Sequence, residues 1–108
     1  MKRIAILGST GSVGQQTLEV IASLGSEYRV VALTAGRNDQ LIAEQVCKFK
    51  PEVVVLSDPG AAKRLAEKIK TKTCLVKAGL EGQIEAAVWP TADIVVMAQV
   101  GFSGFEPL

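Results

Sequence analysis

The residues best placed to do chemistry lie near the start of the chain, in Gly8-Ser9-Thr10-Gly11-Ser12-Val13-Gly14. Three glycines at this spacing, with hydroxyl residues between them, suit the presentation of backbone N–H groups to an anion. Gly8 permits a tight turn out of a strand. Gly11 lacks the Cβ that would block the backbone from approaching a pyrophosphate. Gly14 lets the following helix sit close on a sheet. The first N–H groups of that helix have no intrahelical acceptor, and its dipole favours negative charge there. Ser9, Thr10 and Ser12 add hydroxyl donors at the same place. The alternative is a glycine-rich turn that binds nothing. The position of the run, after a strand and opening a helix, favours a nucleotide phosphate.

A second set follows the next strand, in Thr34-Ala35-Gly36-Arg37-Asn38. Dinucleotide sites that take NAD usually place a carboxylate at this tip, to hold the ribose 2′-hydroxyl. Here the tip has none, and an arginine comes instead. A guanidinium at this point can pair with a 2′-phosphate, a charge-assisted contact worth about 1.5–3 kcal/mol. That is roughly tenfold to a hundredfold in affinity. Asn38 is placed to cap the next helix and to touch the same phosphate. The glycine spacing, GxxGxxG rather than GxGxxG, also fits sites that prefer NADP. A third segment, Met97-Ala98-Gln99-Val100-Gly101, has small residues where a nicotinamide ring could lie against backbone.

Other chemistries find little support. The chain has no histidine, so the commonest general base and transition-metal ligand is missing. Glu81 and Glu85, one helical turn apart, read as a solvated face. Tyr28 and Lys48 do not form a YxxxK pair. The first strand does not end in the acidic residues of a receiver domain, and the second lacks the acid of a methyltransferase. Cys47 and Cys74 form no CxxC pair and read as buried free thiols.

The elements that must position these residues alternate. Strands are expected at Arg3–Leu7, Arg29–Ala35, Val53–Leu56, Thr73–Val76 and Asp93–Ala98. Between them run helical patterns. The first turns Val13, Thr17, Val20, Ile21 and Leu24 inward and stops at Gly25. The second carries Leu41, Ile42, Gln45, Val46 and Phe49 and stops before Pro51. The third is capped by Ser57-Asp58-Pro59 and buries Ala62, Leu65, Ala66 and Ile69. The fourth carries Leu80, Ile84, Ala87 and Val88. This βαβαβαβαβ order predicts an α/β fold: a doubly wound, mainly parallel Rossmann-type sheet with helices on both faces.

The chain has 108 residues, the size of one small domain, with 48% hydrophobic and 21% charged residues. Roughly a third of the unfolded-chain surface would stay exposed. A net charge of +1 gives no electrostatic footprint for nucleic acid or an anionic membrane. No apolar run approaches the ~20 residues that span a bilayer. The opening Met1-Lys2-Arg3 lacks the features of a secretory signal, which places the chain in the cytoplasm. Residues 101–108 carry Phe102, Phe105 and Leu108 and read as a loop leading into a missing portion. That apolar end would make the isolated piece self-associate.

Taken together, these residues resemble the cofactor domain of the 1-deoxy-D-xylulose 5-phosphate reductoisomerase family. The likeness rests on Lys2 through Gly14, with Val13 where isoleucine is usual. It rests also on Val30 through Asn38, and on Ala98 through Leu108, which is similar to an A-I-x-G-x-x-G-L-x-P-T loop. The resemblance implies that NADPH contacts Thr10, Gly11, Ser12, Val13, Gly36, Arg37 and Asn38. It implies a full-length homodimer that rearranges 1-deoxy-D-xylulose 5-phosphate and reduces it to 2-C-methyl-D-erythritol 4-phosphate, in non-mevalonate isoprenoid synthesis. The family uses Mg²⁺ or Mn²⁺, held with the phosphosugar by residues outside this chain, so the 108 residues alone are expected to be inactive. Two alternatives stay open: the cofactor domain of another NADP-dependent reductase, such as an aspartate-semialdehyde dehydrogenase, or a stand-alone nucleotide-binding or interaction module.

Overall fold

Val53-Val54-Val55-Leu56 offers no polar side chain to solvent, and all four residues are fully buried. A strand of this composition is stable only with both faces covered. The computed structural model, which describes residues 2–69 and 74–98, supplies that cover. The elements are β1 (Lys2–Leu7), α1 (Ser12–Leu24), β2 (Tyr28–Ala35), α2 (Asp39–Phe49), β3 (Val53–Leu56), α3 (Pro59–Lys68), β4 (Leu75–Ala78), α4 (Gly79–Ala87) and β5 (Ile94–Met97). One 3₁₀ turn, Gly25–Glu27, joins α1 to β2.

The described strands form one parallel sheet in the order β4-β3-β2-β1-β5. The chain winds outward from β1 through β4, then crosses back to place β5 on the other side of β1. The strand order therefore reverses beside β1, the point at which open α/β sheets bind ligands. On one face, α1, α2 and α3 cover Ile4, Ile6, Val30, Val54 and Leu56 with Leu18, Ile21, Ile42, Val46 and Leu65. On the other, α4 covers Ala5, Ala32, Val53 and Val55 with Ala86, joined by Trp89. Each fully buried large side chain, such as Ile6, Leu33, Ile42 or Leu65, contributes roughly 1.5–3 kcal/mol.

The expected fold class is the observed one, but two helix faces differ from expectation. In α1, Ile21 is buried as expected, whereas Val13, Val20 and Leu24 are exposed and Gly14 and Leu18 point inward. The cause is Gly14. A Cβ there would collide with the Gly8 carbonyl and lie 2.7 Å from Ser9 Cα, so only a glycine can occupy the contact face. In α4, Leu80, Ile84 and Val88 face outward, and Gly82 and Ala86 make the contact. A Cβ on Gly82 would lie 2.9 Å from Val55 Cγ1. In both helices the close approach of backbone to sheet sets the rotation: Val13, Val20 and Leu24 of α1 and Leu80 and Ile84 of α4 turn outward, while Leu18 and Ile21 of α1 stay inward.

Smaller differences lie in α3, β4 and the cysteines. In α3, Ala61 is buried and Ala66 is exposed. Strand β4 begins at Leu75 rather than Thr73, which lies outside the described residues. Both cysteines are free, but Cys47 is exposed on α2 and only Cys74 is buried. Burial pushes the Cys74 thiol up to about 11. The terminal loop at 101–108, and the truncation and self-association read from it, lie outside the described residues. No helix among those described is long and apolar enough to cross a membrane.

Candidate functional site

The turn after β1 is built by hydrogen bonds from its neighbours. Gly8 adopts φ 87°, a conformation that L side chains rarely take. Its N–H points at Thr34 at the end of β2, 3.0 Å from both the carbonyl and Oγ1. The Ser9 N–H donates to the same carbonyl at 2.8 Å. The Ser9 hydroxyl, fully buried, donates to Gln45 Oε1 of α2 at 2.7 Å, and Gln45 Nε2 donates to the Ser9 carbonyl at 2.8 Å. Ser9 is thus committed inward and does not serve as the phosphate donor expected of it. Thr10 is half-buried, and Gly11, Ser12 and Val13 are exposed.

Helix α1 then starts with its N-terminus open. Gly11 stands at the cap with no side chain to offer, and no acidic residue occupies the first turn. The N–H groups of Ser12, Val13 and Gly14 precede the first intrahelical bond, from Gln15 N–H to the Gly11 carbonyl at 2.9 Å. A Cβ on Gly11 would meet only the Gly8 carbonyl, at 3.7 Å. The space above it is open to a ligand. By contrast α2 is capped by Asn38, whose Oδ1 accepts from Leu41 N–H at 3.1 Å, and α3 by Asp58, whose Oδ2 accepts from Ala61 N–H at 3.2 Å.

The turn after β2 lies beside the first, because Thr34 is shared between them. Gly36, Arg37 and Asn38 are all exposed. Asn38 performs the capping expected of it. Arg37 makes no ion pair among the described residues. The turn after β3 closes the row: Asp58 N–H donates to the Gly36 carbonyl at 3.2 Å, and Ser57 Oγ to the same carbonyl at 3.4 Å. All seven expected contact residues therefore stand on two adjoining turns, or on the first residues of α1, at the carboxyl edge of the sheet. Of the third segment, Met97 and Ala98 are described; the Ala98 N–H donates to the Leu7 carbonyl at 2.9 Å, which sets β5 beside the first turn. Residues 99–101 lie outside the described residues.

Two features were not found from sequence. One is the Gln45 lock on Ser9. Its signal was present, since Gln45 is the one polar member of the inward stripe on α2. The other is Asp39, the first residue of α2. Its Oδ1 lies 3.3 Å from Arg64 Nε and its Oδ2 lies 2.6 Å from Lys68 Nζ, both on α3. Lys68 holds the Asp39 carboxyl below the usual carboxylate range, Arg64 acts in the same sense, and burial opposes them. Nothing local in the sequence announces a pairing across 25 and 29 residues. A shallow cleft of about 300 Å³ lies between α1 and α2, lined by Gln15, Leu18, Leu41, Gln45 and Phe49 among others. It includes none of the seven residues. Among the described residues, no three His, Cys, Asp or Glu side chains group as metal ligands.

This arrangement can hold a dinucleotide: pyrophosphate at the open start of α1, and a 2′-phosphate at the β2 turn. Comparison with known proteins gives the family this chain resembles. The family model for 1-deoxy-D-xylulose 5-phosphate reductoisomerase matches residues 4–108. A protein of that name from Moorella thermoacetica is 44% identical over 107 residues, 99% of this chain and 28% of its own length. One from Agathobacter rectalis is 47% identical over the same extent. A crystal structure of DOX-P reductoisomerase with NADPH, fosmidomycin and magnesium matches with a TM-score of 0.82 at 31% identity, covering 88% of this chain and 24% of that one. The enzyme from Zymomonas mobilis in complex with NADPH matches with a TM-score of 0.78 at 31% identity, over 83% of this chain and 24% of its own. The chain spans about 28% of the length of these curated relatives.

Proposed function

This chain belongs to the 1-deoxy-D-xylulose 5-phosphate reductoisomerase family, and from that premise we propose that it is the NADPH-binding domain of such an enzyme. The observation that carries the reading is the open, uncapped start of α1 set beside the exposed Arg37, which has no ion-pair partner among the described residues. Thr10, Gly11, Ser12 and Val13 hold the pyrophosphate with backbone N–H groups and hydroxyls. Gly36, Arg37 and Asn38 hold the 2′-phosphate, and Arg37 supplies the charge that distinguishes NADPH from NADH. NADPH, when bound, supplies the hydride for the reduction step.

The whole enzyme isomerises and reduces 1-deoxy-D-xylulose 5-phosphate to 2-C-methyl-D-erythritol 4-phosphate, in isoprenoid synthesis. Solved relatives hold magnesium. The described residues offer no ligand set for it, so no metal-dependent step is assigned to them. Turnover needs residues beyond these 108, which also bind the phosphosugar. Family resemblance supports a homodimer that works in the cytoplasm. The near-neutral net charge speaks against a nucleic-acid partner.

The test is a turnover assay on the intact protein with 1-deoxy-D-xylulose 5-phosphate, Mg²⁺ and NADPH, followed by loss of NADPH absorbance. Consumption that depends on the phosphosugar is expected. No consumption, or equal consumption of NADH, would overturn the reading.

A further inference from the structure

Asp39 is a carboxylate one residue beyond Asn38, at the edge of the turn assigned above to the 2′-phosphate. In dinucleotide sites a free carboxylate in this region accepts from the ribose 2′-hydroxyl and repels a phosphate, which favours NADH. Asp39 is not free. Each oxygen is taken by a different cation, Oδ1 by Arg64 and Oδ2 by Lys68. The Asp39 N–H donates to the Arg37 carbonyl at 2.8 Å, which ties the Asp39 backbone into the turn.

The two cations are placed for this by α3. Arg64 and Lys68 stand one helical turn apart and so share a face. The Asp58 N–H holds the start of α3 to the Gly36 carbonyl. The Arg64 guanidinium folds back over that start: a Cβ added to Gly60 would lie 3.6 Å from Arg64 Nη1 and 3.7 Å from Asp58 Oδ2. Arg64 uses Nε on Asp39, and its side chain is 55% exposed. Among the described residues its one hydrogen bond is the one from Nε to Asp39.

We propose that Arg64 and Lys68 are specificity-determining residues for NADPH: by occupying both oxygens of Asp39 they cancel its repulsion of a 2′-phosphate and withhold it from a 2′-hydroxyl. Lys68 acts through Asp39 as a positioning residue. Arg64 acts in the same way, through the other oxygen of Asp39. The proposal rests on the NADPH reading of this turn.

The experiment measures NADPH and NADH dissociation constants by calorimetry on the intact protein. The variants are R64Q/K68Q, the same pair with D39N, and each single glutamine variant, which read the same ratio should the pair fold poorly. Thermal melts check folding. For R64Q/K68Q the preference for NADPH over NADH should fall roughly tenfold, with NADH binding unchanged or tighter. Adding D39N should restore most of it, a rescue that a merely structural role would not give. An unchanged ratio, or equal loss of both cofactors, in a protein whose wild type prefers NADPH overturns this inference and leaves the cofactor reading standing. A wild type that binds both cofactors equally overturns both.

Discussion

The Ser9 hydroxyl donates to Gln45 Oε1 at 2.7 Å, and Gln45 Nε2 donates back to the Ser9 carbonyl at 2.8 Å. This reciprocal pair joins the glycine-rich turn to α2, so the two turns proposed to hold the cofactor are fixed from both ends. Thr34 joins them at the strand ends, and Gln45 joins them through the helix.

Replacing Gln45 with leucine keeps the volume but leaves the buried Ser9 hydroxyl and carbonyl without this partner. A buried polar group left unsatisfied costs about 1–3 kcal/mol. We expect Gln45→Leu to lower stability by that amount in urea denaturation, with an unchanged slope, and to weaken NADPH binding as the turn loosens. A midpoint equal to the wild type would show that the pair holds nothing.

Gly14→Ala tests the close approach of α1. The added methyl would overlap the Gly8 carbonyl and press on Ser9 Cα. Overpacking of this kind costs typically about 1–3 kcal/mol. Thermal denaturation should show the loss, and pyrophosphate contact at Gly11 should weaken with it. Full stability in the variant would mean that α1 sits farther from β1 than the structure shows.

Much of the fold was legible because strands buried on both faces are written as unbroken apolar runs, and Val53–Leu56 is the plainest. Helix stops at Gly25 and before Pro51, and caps at Asn38 and Asp58, were legible because the backbone needs those residue types. The inward faces of α1 and α4 were not. Hydrophobic periodicity assumes that every large apolar side chain joins the contact, whereas here Gly14, with Leu18 and Ile21, and Gly82, with Ala86, set the inward faces. Of the site, the two turns were readable from glycine spacing and from the missing acid after β2. The pairing of Asp39 with Arg64 and Lys68 was not, because only the tertiary fold brings α2 and α3 together. Cys47 was expected to be buried by its type, yet it falls on the solvent side of α2.

Glu52 gives a pH dependence. Its Oε1 accepts from Trp89 Nε1 and from Thr91 Oγ1, each at 2.8 Å. These bonds, Trp89's first, lower its carboxyl below the ordinary value of 4.5, with Arg29 and Arg3 acting in the same sense and burial opposing. The folded state therefore favours the ionised form. The stabilisation is complete above the ordinary value and is lost as pH falls through the lower folded value. Melting temperatures followed from about pH 6 to about pH 3 should fall more steeply for the wild type than for Glu52→Gln. Parallel curves would show that the ionised carboxylate adds nothing.

In the proposed function the β2 turn reads the 2′-phosphate through Arg37. Calorimetric titration of the protein with NADPH and with NADH, before and after Arg37→Ala, tests it most directly. The wild type should prefer NADPH, and the variant should lose about tenfold to a hundredfold in NADPH affinity while NADH binding holds. Equal affinity for the two cofactors in the wild type, or an NADPH affinity that survives the loss of Arg37, would contradict it.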